Sequence, residues 1–241
     1  METDITNIER HDFAEPSALA LQLAGTIADQ LNKAVAAKGQ AVLAVSGGTT
    51  PVQLFEALSM QDVAWKQVTI TLVDERFVAP DNDRSNEKLA REHLLQNKAA
   101  QAVFVSLYIP AQTASVAAVT AANRIDALPK PFDVVVLGMG NDGHTASFFR
   151  GGSRLDQAID PTTRAVVLPM QAEGAGEPRL TLTLPVIANA DLLILHIEGQ
   201  KKLAVLEEAL ASDFSEADIN LMPVRAVFAH AKQAVQLYWA P

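Results

Sequence analysis

Apolar side chains recur at helical spacing through residues 17–38, at Leu19, Leu23, Ile27, Leu31 and Val35, and Gly39 follows where such a helix would stop. The period then changes. Ala41–Val45 is a short, wholly apolar run of the kind a buried strand shows, and it opens directly into Ser46-Gly-Gly-Thr-Thr50 and then Pro51, which suits the first turn of a helix. The same order is predicted further on: a strand at 68–73, a polar loop at 74–84, and a helix at 85–95 that Ser85 caps, with Glu87 and Lys88 in its first turn. A helix at 115–128 precedes an apolar strand at 133–137, which runs into Gly138-Met-Gly-Asn-Asp-Gly143. Later come a strand at 191–197, a turn at Gly199 and an amphipathic helix at 201–210. Such alternation predicts an α/β fold: a doubly wound, mostly parallel, Rossmann-like sheet with right-handed crossovers and helices on both faces. Ligands of such sheets bind beyond the carboxyl ends of the strands, where all these loops would lie.

The 241 residues are read as a single domain, 1–241. Residues 173–178 form a mobile loop in this reading, with Arg179 at its end before the strand-like 180–184. The Ala-rich 111–122 is read as packed helix. Nearly half of the residues are hydrophobic (49%) but only 5% are aromatic, which suits helices on a parallel sheet and disfavours stacking platforms for nucleic acid. A net charge of −9 argues further against nucleic-acid or membrane partners. It leaves room for an anionic small molecule where a few cations converge on one cleft. There are no cysteines, which excludes disulfides, thiolate catalysis and Cys-ligated metals. The opening residues 1–10 are polar, and no run approaches the roughly 18 apolar residues of a membrane span. A cytoplasmic protein is expected.

The candidate chemistry sits at the loops. Ser46, Gly47, Gly48, Thr49 and Thr50 offer unhindered amides and hydroxyls at a helix start, an arrangement that favours phosphate or carboxylate. The lysine of a nucleoside-triphosphate loop is missing, and there is no Gly-x-Ser-x-Gly elbow to make Ser46 a nucleophile. Asp74-Glu75-Arg76 ends a buried strand, where charges are costly unless paired or used. Two readings stay open: an internal ion pair, or Arg76 clamping substrate oxygens in its planar fork.

Gly138 to Gly143 has the form GxGxxG, but a dinucleotide site also expects a long helix and an acid about 20 residues on. Here Gly151-Gly152 stops the segment, and Thr162-Thr163 stand at that distance. The glycines are better read as a tight turn that presents Asp142 and His144. Of the five histidines, His11 and His93 look superficial, His230 lies in a polar segment and His196 reads as a satisfied group inside a strand. His144 is the one placed for proton transfer. Metal ligation is disfavoured, since no second histidine stands at ligand spacing. Lys201-Lys202 at a helix start oppose the helix dipole, a placement that a nearby anion would relieve.

Together these motifs resemble the 6-phosphogluconolactonase family, whose pattern reads SGGxTP, DERxV followed by SN, LGMGxDGHTASLFPG, ERITLT and GxxK. They stand here at Ser46 to Pro51, Asp74 to Val78 with Ser85-Asn86, Leu137 to Gly151, Pro178 to Thr183 and Gly199 to Lys202. The resemblance implies hydrolysis of 6-phosphoglucono-1,5-lactone in the pentose phosphate pathway, without metal or coenzyme, on a sheet shared with glucosamine-6-phosphate deaminases and ribose-5-phosphate isomerases. It also implies the roles: His144 as general base, Asp142 as its acid partner, Arg76 as a substrate-binding arginine, the 46–50 turn as phosphate loop, and Arg179 and Lys202 as cations facing the substrate. For the oxyanion, the Gly140 to Gly143 amides and Arg76 are alternatives. The expected partner is a phosphosugar lactone bound by a monomer or homodimer. Phe148 and Arg150 depart from the family's Leu and Pro, and Arg150 would add a cation to the site. The rivals are a deaminase or sugar-phosphate isomerase, from which Arg76 and Thr145-Ala-Ser147 point away, and a non-catalytic sugar-phosphate sensor.

Overall fold

The computed structural model describes residues 8–211 and 216–241, so the first seven residues of the polar opening segment lie outside the described residues. Its strands are β1 (Ile8–Asp12), β2 (Ala41–Val45), β3 (Val68–Leu72), β4 (Asp74–Arg76), β5 (Val103–Phe104), β6 (Val134–Leu137), β7 (Val167–Met170), β8 (Arg179–Leu182), β9 (Leu193–Glu198) and β10 (Val235–Ala240). Between and around them run α1 (Pro16–Lys38), α2 (Val52–Ser59), α3 (Asn86–His93), α4 (Ala114–Asp126), α5 (Leu155–Ala158), α6 (Leu184–Ala188), α7 (Gln200–Ala209), α8 (Glu216–Leu221) and α9 (Val224–His230).

The main sheet has the order β1-β10-β9-β6-β2-β3-β5, and every neighbouring pair is parallel. From β2 the chain winds outward through β3 and β5, then returns to the other side of β2 at β6 and winds outward through β9 and β10. The direction of winding reverses between β2 and β6, which opens a crevice beyond their carboxyl ends. Strands β2, β6 and all but the last residue of β9 are buried throughout, because helices cover the sheet. Helix α1 shows why: Leu19, Leu23, Ile27 and Leu31 are each fully buried along one stripe, and Gly39 ends the helix at φ 76°, donating its amide to Val35 O.

The structure departs from the sequence reading in its strands. Residues 74–84 are not wholly a polar loop, since Asp74–Arg76 leaves the main sheet directly after β3 and pairs antiparallel with β8, which pairs with β7. This small second sheet sets Arg76 opposite Arg179. Charged side chains disguise such a strand, because its partners rather than its own pattern define it. Residues 173–178, read as a mobile loop, meet the rest of the chain at two points: Arg179 Nη2 donates to Ala175 O at 2.7 Å, and Arg84 forms an ion pair with Glu177. The sequence reading did not include strands β1 and β10, at the far side of the sheet; β1 is short and polar, and among the described residues it pairs only with β10.

Candidate active site

At the crevice, β2 opens into Ser46–Pro51 and β6 into the Gly138–Gly143 turn, tied by Ser46 N donating to Val136 O at 3.0 Å. Gly48 turns the first loop at φ 94°. Among the described residues, no protein acceptor takes the amides of residues 47–50, which leaves them available to an anion. Lys202, in the first turn of α7, donates from Nζ to Thr50 Oγ1 at 3.1 Å. Burial pulls the Lys202 pKa down, opposed by the nearby Glu198 carboxylate, so an anion here is met by a poorly solvated cation. Gly47 is obligatory on steric grounds, since a Cβ there would overlap the Asn86 carboxamide. Asn86 is itself fixed, its Nδ2 donating to Asp74 O at 2.9 Å.

On the facing loop, His144 Nδ1 lies 2.5 Å from Asp142 Oδ1. Hydrogen bonding and charge interaction with His144 hold the Asp142 carboxyl down at about 2, against the cost of partial burial. An ionised carboxylate only accepts, so Nδ1 carries the proton and the other ring nitrogen, Nε2, is left with its lone pair. Phe149 packs on the imidazole at 4.6 Å between ring centroids. Between these two rings in the chain, Ala146 lies in the left-handed region at φ 47°.

Gly140 lies beneath the pair, where a Cβ would stand 2.6 Å from Asp142 Oδ1 and closer still to the His144 ring. Gly140→Ala must therefore displace the dyad. The expected result is a fall in kcat of about 10², the scale of an ångström-level misplacement, with a melting temperature close to the parent's. Steady-state kinetics and a thermal melt on the same preparation check both halves.

The third wall is the small sheet. Glu75 turns inward and Asp74 accepts from Ser147 Oγ at 2.6 Å, so neither neighbouring acid pairs with Arg76. Arg76 Nη1 donates to Arg84 O at 2.6 Å, while its Nε is buried without a partner. The internal ion pair that the sequence left open for Arg76 is not formed. Arg179 stands across from it, its guanidinium held by Ala175 O and, at 3.3 Å, by Glu177 O. Burial is the main cause lowering the Arg179 pKa, and Arg76 adds to it while Asp74 opposes. Two arginines facing each other across a ladder repel unless an anion lies between or beside them.

All these groups line one cavity of about 570 Å³, which contains every sequence-predicted site residue: Ser46, Gly47, Gly48, Thr49, Thr50, Arg76, Asp142, His144, Arg179 and Lys202. Arg150 also lines it. Sequence reasoning missed Arg84, Asn86, Phe149 and His196, which line the same cavity. Asn86 had a signal, the Ser-Asn pair, but no residue-level role. His196 was read as a core group; it is buried at 2% exposure yet faces the cavity. Two amides of the Gly140–Gly143 turn are taken up within it, Gly140 N donating to His144 O at 2.9 Å and Gly143 N to Gly140 O at 3.1 Å. Among the described residues, no cluster of three or more His, Cys, Asp or Glu side chains is placed to hold a metal ion.

Comparison with known proteins converges on one family. Residues 14–239 match the model described as glucosamine-6-phosphate isomerases/6-phosphogluconolactonase. A 6-phosphogluconolactonase of Rhizobium meliloti (strain 1021) is 54% identical over 231 residues, covering 96% of this chain and 98% of the relative. One from Pseudomonas aeruginosa is 44% identical, covering 91% of this chain and 89% of the relative. The crystal structure of a 6-phosphogluconolactonase from Shewanella baltica OS155 superposes with a TM-score of 0.93 at 45% identity, covering 99% of this chain and 100% of that one. With the family model spanning nearly the whole chain and relatives this similar along almost all of its length, the chain belongs to the glucosamine-6-phosphate isomerase/6-phosphogluconolactonase family.

Proposed function

We propose that His144 is the general base by which this chain hydrolyses 6-phosphoglucono-1,5-lactone to 6-phosphogluconate, the pentose phosphate pathway step for which its relatives are named. The observation that carries the reading is the Asp142–His144 pair, 2.5 Å apart, opening on a cavity lined by free amides and cations. The substrate phosphate docks on the 47–50 amides beside Thr50 and Lys202, and the lactone carbonyl lies toward His144. Neutral His144 takes a proton at Nε2 from a water as its oxygen bonds to C1. The carbonyl π electrons move to oxygen, and the Arg76 guanidinium on the cavity wall stabilises that oxyanion. As the carbonyl re-forms, the bond from C1 to the ring oxygen breaks and the imidazolium returns its proton to that oxygen.

No cofactor enters this sequence of steps, and the enzyme is proposed to act in the cytoplasm; among the described residues, no helix is long and apolar enough to cross a membrane. The test generates the lactone in situ and couples its hydrolysis to 6-phosphogluconate oxidation, read against the spontaneous rate. Acceleration that scales with enzyme concentration is expected. Ammonia release from glucosamine 6-phosphate in place of lactone hydrolysis would establish the deaminase reading, and phosphosugar binding without turnover the sensor reading.

A further inference from the structure

Histidine 196 belongs to no part of the mechanism above, yet it is a buried imidazole on the wall of the same cavity. It stands on β9 one residue past the last pair with β6, Leu195 against Leu137, which brings it beside Gly138 at the foot of the crevice. Two residues on, and so on the same face of the strand, Glu198 lies 3.0 Å from His196 through Oε1 and Nε2. Glu198 also attracts Lys202, the cation tied to the phosphate loop. An ionised Glu198 only accepts, so Nε2 is the protonated nitrogen and Nδ1 keeps its lone pair. Nδ1 has no protein partner among the described residues and is not among the buried unpartnered atoms, so it is the edge that meets the cavity.

The remaining lining is rich in donors: four amides, the Thr50 hydroxyl, Lys202, Arg76 and Arg179. Those suit a phosphate and a carbonyl. A sugar lactone also carries hydroxyl protons that need acceptors; the lining offers Glu173, the Asp142 and Asp74 carboxylates, each engaged at one oxygen by His144 or Ser147, and the imidazole of His196 at the foot of the crevice. We infer that His196, held in one tautomer by Glu198, is a substrate-binding residue whose Nδ1 accepts a hydrogen bond from a hydroxyl of the sugar ring. The inference rests on the sugar-lactone reading of the cavity, and extends it from the reacting carbon to recognition of the ring.

The test compares wild type with His196→Phe, which keeps the ring shape without its nitrogens, and His196→Asn, whose carboxamide oxygen can replace Nδ1. In the coupled lactonase assay, Phe should lower kcat/KM about tenfold, the worth of one neutral hydrogen bond, through KM with kcat held within about twofold. Asn should restore most of the loss. By calorimetry, Phe should weaken 6-phosphogluconate about tenfold while leaving inorganic phosphate binding unchanged. Equal weakening of both ligands would place His196 at the phosphate and overturn the assignment, as would unchanged affinity for both. Should the Phe variant not fold, the wild-type imidazole 15N spectrum decides: the Nδ1 signal of His196 must move with 6-phosphogluconate and stay still with inorganic phosphate. A wild type lacking lactonase activity would instead sink the underlying reading, independently of position 196.

Discussion

Alanine at position 144 lowers kcat for 6-phosphoglucono-1,5-lactone by about 10² or more, with KM changed only a few-fold. The lactone already reacts with water, so the enzyme's share of the work is positioning and proton transfer, and His144 is the one side chain placed for the latter. Its removal leaves the amide loop, Lys202 and the two arginines in place, and so leaves binding. Replacing Asp142 with Asn is a milder form of the same experiment. The ring survives, but the carboxylate that fixes the proton on Nδ1 is gone, and a carboxamide can present either an acceptor or a donor to it.

The pH dependence follows from the depressed Asp142 pKa. A carboxyl held at about 2 is ionised across the whole working range, so activity lost on acidification above pH 4 reports protonation of a group other than Asp142. The sign for stability is that of a lowered acid: the contribution is complete above the ordinary value of 3.8 and is lost as pH falls through about 2. The coupled assay, run from pH 5 to 9 on parent and both variants with the spontaneous rate subtracted, checks these expectations. Near-normal turnover in His144→Ala sinks the assignment of the base.

The second large effect is on folding. Glu75→Ala costs on the order of 3 to 5 kcal/mol, a large part of the stability of an ordinary domain. Glu75 is fully buried and accepts from Arg76 N at 2.6 Å, Asn86 N at 2.8 Å, Glu87 N at 2.7 Å and Ser85 Oγ at 3.0 Å. Asn86 and Glu87 are the first residues of α3, so the carboxylate sits at the positive end of that helix and satisfies amides that otherwise have no partner. Alanine takes the acceptor away from four donors, three of them in buried hydrogen bonds. Urea unfolding should show a lower midpoint at an unchanged slope, and a midpoint within experimental error of the parent would refute the capping role.

Burial nonetheless outweighs those hydrogen bonds and raises the Glu75 pKa above 4.5. For a raised acid, stability declines as pH climbs from 4.5 through the folded-state value, and Glu75→Gln should remove that slope.

How much of this was legible in the sequence differs by element. Strands such as 41–45 and 133–137 announce themselves because both faces are covered, so that every residue is apolar. The glycine turns after them were legible for the same reason that they work, since backbone freedom and exposed amides require glycine. Asp74-Glu75-Arg76 was legible as chemistry but not as structure. Its three side chains have unlike fates: one accepts from Ser147, one caps α3 and one faces the cavity. A local pattern carries none of that, because Ser85, Ser147 and Arg179 supply the meaning from afar. His196 shows the converse error. A histidine flanked by apolar residues reads as core, but a strand that ends at a crevice is core along its length and site at its tip.

The close approach of Gly47 to the Asn86 carboxamide binds the phosphate loop to a helix that belongs to the other flank of the crevice. Asn86 begins the very helix that Glu75 caps, so loop, helix start and the strand bearing Arg76 form one rigid frame. Such a frame cannot be remodelled one position at a time: a larger residue at 47 demands a smaller one at 86, and a change at 86 loosens the seat of Arg76. Arg150, exposed on the cavity lining and with no hydrogen bond or ion pair to that frame among the described residues, is free of this constraint. Drift in substrate preference among close relatives should therefore be recorded at the Arg150 side of the cavity, while the phosphate side changes in concert or not at all.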